Sequence, residues 1–164
     1  MIFGMTPFTF FHVVLSLIGI FSGFVVAYGL LTAKRLDGWT ALFLATTVLT
    51  SVTGFMFPFH KFLPSHGVGI ISLIVLALAI FARYVRHLAG PWLRTYAITA
   101  MTALYLNVFV LVAQLFQKVP ALKAMAPTQG EPPFLIAQTV VLALFIVLGI
   151  LATIRFRIEQ LHPA

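Results

Sequence analysis

The chain has 164 residues, 62% of them hydrophobic and 8% charged, with a mean hydropathy of +1.11 and a formal net charge of +7. A water-soluble domain of this size cannot hide so much apolar surface, because a small globule must present a largely polar exterior. With no cysteine, neither a disulfide framework nor a thiolate metal site is available, and three acidic residues in all argue against a carboxylate-based hydrolase.

An all-α, polytopic bundle of five transmembrane helices is expected over residues 1–164, read as a single transmembrane domain. A helix needs about 20 apolar residues to cross a hydrocarbon core of about 30 Å. The first span is Phe8–Thr32. At 100° per residue, His12, Ser16, Gly19 and Gly23 fall on one narrow stripe, and such small residues let a helix or a flat ligand approach the backbone. The second span, Trp39–Phe57, carries Thr46, Thr47, Thr50, Ser51 and Thr53, whose hydroxyls can bond their own helix or a neighbour.

A connection rich in phenylalanine, histidine and proline follows, Gly54–Gly69, and leads into the third span, His66–His87. The fourth, Trp92–Phe116, places Tyr96, Ala100, Ala103, Asn107, Gln114 and Gln117 on a common stripe. An amide in lipid must find a partner, so the face carrying Asn107 is expected to point into the bundle. The loop Lys118–Pro132 holds three prolines and is expected to form a short interfacial helix and fold back as a lid. Pro133–Arg155 is the fifth span.

Basic residues suggest the orientation. Lys34, Arg35, Arg83, Arg86, Arg94, Arg155 and Arg157 fall on one side, against Lys61, Lys118 and Lys123 on the other. The richer side belongs in the cytoplasm, with the N-terminus outside and the C-terminus inside. Charge placed at segment ends fits anionic lipid headgroups, not nucleic acid, and the basic side chains are expected to be interfacial anchors with snorkelling stems. His12, His60 and His66 then share the outer face with Glu131 and Gln138, whereas His87 and His162 lie at the inner one.

That concentration of imidazole suggests a redox or metal- or haem-binding role with His12, His60 and His66 as ligands, exchanging electrons with quinone, and three chemistries are open. A haem b would need axial imidazoles from facing helices, here His12 with His66 or His60, and small residues beside the ring. Copper or zinc would take His12, His60, His66 and Glu131. A quinone headgroup would use histidine, Gln138, Glu131, tyrosine and the surrounding phenylalanines, with imidazole exchanging the proton. Across these chemistries His12, His60, His66, Asn107 and Gln138 are the candidate cofactor-binding residues. The alternative is a non-catalytic subunit, scaffold or assembly partner of a larger membrane complex, or a homo-oligomer, in which these polar groups only cap and stitch helices.

The runs Asn107–Leu122 (NVFVLVAQLFQKVPAL), Ala126–Phe134 (APTQGEPPF) and Pro58–Gly67 (PFHKFLPSHG) resemble a group of small, uncharacterised multi-pass membrane proteins of bacteria. The resemblance covers most of the chain and implies a setting in the bacterial inner membrane. It implies no activity, cofactor or site.

Overall fold

Proline sets the start of most helices. Its fixed φ suits the first helical position, where its missing N–H is no loss. Pro7 opens α1 (Pro7–Leu31), Pro64 opens α3 (Pro64–Ile80), Pro91 opens α4 (Pro91–Lys118), Pro120 opens α5 (Pro120–Met125) and Pro132 opens α6 (Pro132–Leu161). Only α2 (Asp37–Gly54) begins differently, with a carboxylate at the positive end of the helix dipole. This computed structural model describes residues 1–161, so His162 lies outside the described residues.

The chain is all-α, and four of its helical stretches are long and apolar enough to cross a membrane: Pro7–Leu31, Pro64–Val85, Pro91–Lys118 and Pro132–Arg157. It is a polytopic membrane bundle. The expected second span stands apart from these four. Its helix has 18 residues, includes Asp37 and is diluted by five threonines. Three of those hydroxyls return to their own helix, Thr46 to the Leu42 carbonyl, Thr50 to the Thr46 carbonyl and Thr53 to the Leu49 carbonyl, each at 2.7 Å.

α4 forms the centre, touching α1, α3 and α6, while α2 fills the place between α1 and α3. Tyr96, Ala100 and Ala103 are buried on its inner stripe, as their spacing predicts. Asn107 donates from Nδ2 to Thr47 Oγ1 of α2 at 3.2 Å. On α1, Gly19 lies against Thr46 and Thr47, and Gly23 lies against Phe43 and Leu104, so the small-residue stripe is where the neighbours come closest.

Several boundaries differ from the expected ones. α2 stops at Gly54, not Phe57, because the Phe55 and Met56 amides turn back to Val52 and Thr53 and Pro58 lies just ahead. α4 runs two residues past Phe116, until Val119 is forced into an extended conformation ahead of Pro120. α3 continues into a π-helical turn, Phe81–Val85, followed by left-handed His87 and Leu88. Such turns are a rare feature that periodicity does not reveal.

The π turn carries a further correction. Arg83 is no snorkelling anchor: it is 3% exposed. One guanidinium nitrogen donates to Asp37 Oδ1 and to the Arg35 carbonyl, and the group lies 5.1 Å from the Tyr96 ring centroid. The pair ties the end of α3 to the start of α2.

Candidate functional site

A cavity of about 500 Å³ lies at the opposite end of α3 from Arg83. Helices α1 to α4 wall it, and the α2–α3 connection, through Phe55, Phe57, Pro58 and Leu63, closes one side. Its exposed surface is mainly apolar, but hydroxyl, amide and imidazole side chains are interspersed in it, His12, Ser16, His66 and Asn107 among them, with Lys118 at one edge. The Lys118–Pro132 loop was expected to be the lid. Apart from Lys118 itself, none of its residues lines the cavity. α5 stands on the end of α4, and Gln129 fixes the loop to that helix by donating to the Ala113 carbonyl at 2.7 Å.

His12 enters from α1. Its Nδ1 lies 2.8 Å from Thr53 Oγ1. The threonine hydroxyl has one hydrogen, which goes to the backbone carbonyls of Leu49 at 2.7 Å and Thr50 at 3.2 Å. The imidazole must therefore donate from Nδ1, and in the neutral ring Nε2 keeps its lone pair. Phe57 stands edge-on to this ring at 5.1 Å.

His66 is the third residue of α3. Its Nδ1 accepts the Leu63 backbone N–H at 2.9 Å and so caps the helix. That nitrogen cannot also hold a proton, so the neutral ring carries its hydrogen on Nε2. Phe59, Phe55 and Phe62 surround it, with centroids at 4.6, 5.8 and 5.8 Å. Gly69 makes room for this cluster, since a Cβ there would sit 2.9 Å from the Phe55 ring.

The other expected residues lie elsewhere. His60 is exposed and does not line the cavity. Gln138 donates from Nε2 to the Phe109 carbonyl at 3.1 Å, holding α6 against α4, and is not part of the wall. Glu131 closes its own loop by accepting from the Thr128 hydroxyl at 2.7 Å and from the Thr128 and Gly130 amides. Among the described residues, no group of three or more His, Cys, Asp or Glu side chains is gathered to hold a metal ion. Thr53 was not anticipated as a partner of His12. It sits 41 residues away on another helix, and nothing in the local pattern distinguishes it from the other threonines of α2.

The Thr128 hydroxyl, foremost, holds the Glu131 carboxyl below its ordinary pKa. A depressed carboxylate stabilises the folded loop above its unfolded pKa and loses that contribution as pH falls through the folded one. Amide-exchange protection at Thr128 and Gly130 is therefore expected to fall on acidification in the wild type. In Glu131→Gln it should stay low and flat; an unchanged pH profile in that variant would contradict the carboxylate's role.

The fold and the cavity together describe a polytopic helical membrane protein with two histidines facing one pocket. No family model, curated protein or solved structure matches the chain.

Proposed function

We propose that the cavity receives the ring headgroup of a membrane-soluble quinone-type molecule. The observation that carries this reading is that two histidines, each with Nδ1 engaged by the protein, line a mostly apolar space of about 500 Å³ bordered by Phe55 and Phe57. Ligand pockets are commonly a few hundred Å³, apolar, with a small number of placed polar groups. The surrounding lipid supplies the route of entry.

The same hydrogen bonds weigh against a two-histidine haem or metal centre. For His66 to ligate through Nε2, its proton would have to move to Nδ1, which already accepts the Leu63 amide. Either the helix cap or the ligation is lost. His12 alone keeps a lone pair on Nε2, and His60 and Glu131 are too dispersed to complete a set with it.

In this reading the chain is one transmembrane domain that crosses the bacterial inner membrane five times, N-terminus out and C-terminus in. α2 supplies the fifth crossing. Its 18 residues span about 27 Å, close to the thickness of a hydrocarbon core. Arg83 neutralises its one charge. The cavity then opens toward the periplasmic leaflet, and the Arg83 end faces the cytoplasm, in keeping with the placement of basic residues.

Ser16 lines the cavity from α1 and is partly exposed to it. Ser16→Leu is expected to fill the space without disturbing the bundle, and to weaken binding of a decyl-benzoquinone probe by about tenfold or more, the equivalent of one lost headgroup contact. Equilibrium dialysis of the detergent-solubilised full chain measures this. Equal binding by both proteins would remove the cavity from consideration and leave a scaffold or subunit role.

A further inference from the structure

The two histidines differ in what they offer the cavity. His12 is held by Thr53 with its proton on Nδ1, so its Nε2 is an acceptor. His66 is held by the Leu63 amide with its proton on Nε2, so its Nε2 is a donor. Each state is set by a hydrogen bond outside the cavity, one to a hydroxyl already committed to its own helix and one to a helix N-terminus. His66 cannot change tautomer without breaking its bond, and His12 can do so only if the Thr53 hydroxyl leaves the Leu49 and Thr50 carbonyls to donate to Nδ1.

We infer that the pocket selects the reduced, hydroquinone form of its ligand over the quinone. The inference rests on the quinone-class reading above and adds an oxidation state to it. A hydroquinone has an O–H to give His12 Nε2 and a second oxygen to accept from His66 Nε2–H. A quinone has two carbonyl oxygens and no hydrogen to give. One carbonyl satisfies His66, but the other turns a lone pair toward that of His12. A site built around a donor in its ligand rejects the analogue without one, because its own acceptor is left unpaired. Asn107 gives one amide N–H to Thr47; its second N–H and its carbonyl oxygen can meet either form of the ligand, so it does not discriminate. Gln114 and Lys118, exposed toward the end of α4, can meet either form and do not discriminate.

Thr53 is a positioning residue here, acting on the ligand through His12. Thr53→Val keeps the shape and removes the acceptor that holds the Nδ1 proton. His12 is then free to present either nitrogen state.

The test measures binding of decyl-benzohydroquinone and decyl-benzoquinone to the full chain, anaerobically, by equilibrium dialysis. Dithionite holds the probe reduced, since a thiol would add to the open ring positions of the quinone, and the chain has no cysteine of its own to react in that way. The wild type is expected to bind the reduced probe about tenfold more tightly, the effect of one unmade hydrogen bond. In Thr53→Val the ratio should fall toward one. Equal affinities in the wild type would overturn the selectivity and leave the quinone-class reading in place. Binding of neither probe would overturn both. A ratio unchanged in Thr53→Val would remove the threonine as its cause. Should that variant fail to fold, ¹⁵N-histidine spectra of the wild type decide the point: His12 with its proton on Nδ1 and His66 with its proton on Nε2 support the inference, and any other pairing overturns it.

Discussion

Asp37→Ala is expected to destabilise the bundle more than Arg83→Met does, although Arg83 is the buried partner. Arg83 is 3% exposed, and the Asp37 side chain is 74% exposed. Removing the carboxylate leaves a guanidinium buried among Tyr96, Tyr84 and the π turn with only a carbonyl for relief. Breaking such a pair from one side costs about 3–5 kcal/mol, and the open rim at Asp37 places this case near 3 kcal/mol. Arg83→Met replaces the cation with an apolar side chain of similar length and leaves an aspartate that water can reach. Its cost is expected to stay under about 1 kcal/mol, because a well-packed apolar replacement is often neutral. The double variant should resemble Arg83→Met, since Asp37 matters chiefly through Arg83. Unfolding of the micelle-embedded protein by SDS titration gives all three values. Arg83→Met proving the worse variant would mean that the pair is not the latch between α2 and α3.

Gly29→Ala is expected to cost about 1–3 kcal/mol through overpacking, in spite of the higher helix propensity of alanine. A Cβ on Gly29 would stand 2.8 Å from the Lys34 carbonyl oxygen and 2.8 Å from Leu36 Cδ1. Leu36 can rotate away; the carbonyl belongs to the turn itself. That turn is closed by the Lys34 amide on the Gly29 carbonyl at 2.7 Å and passes through left-handed Ala33 and Leu36. Widening it moves Asp37 relative to Arg83, so the loss should grow if the turn and the latch are coupled. The same SDS titration reads the effect. A stabilised Gly29→Ala would show that the turn opens at no cost and that helix propensity decides.

Much of this architecture is written in the residue pattern. Four long apolar runs and the small-residue stripe from His12 to Gly23 depend on local chemistry and on 3.6-residue periodicity, and each appears where that pattern puts it. The inward face of α4 is legible for the same reason. What escapes is pairing across helices. His12 and Thr53 are 41 residues apart, and Arg83 and Asp37 are 46 apart. Each partner looks ordinary in its own segment. The burial of Arg83 is hidden further by the π turn, which rotates the side chains beyond the register that an α-helix would give.

The site divides along the same line. His12, His66 and Asn107 could be singled out because polar groups in apolar spans need a reason, and all three line the cavity. His60, Glu131 and Gln138 carried the same signal, yet His60 is exposed, Glu131 ties its own loop and Gln138 joins two helices. Sharing an end of a bundle is therefore a weaker condition than sharing a pocket. The roof differs from the expected one for a related reason. The longer loop looked like the better lid, but the shorter connection is anchored by the Phe55, Phe59 and Phe62 cluster around His66 and lies over the space.

The central claim is that this cavity holds a small lipid-phase ring compound. The most direct measurement is organic extraction of the purified full chain in nanodiscs, with mass spectrometry of the extract, run beside Ser16→Leu. A quinone-type molecule near one per chain in the wild type and depleted in the variant is the predicted result. Equal recovery from both proteins, or no such molecule from either after the bilayer has been supplied with one, would contradict it.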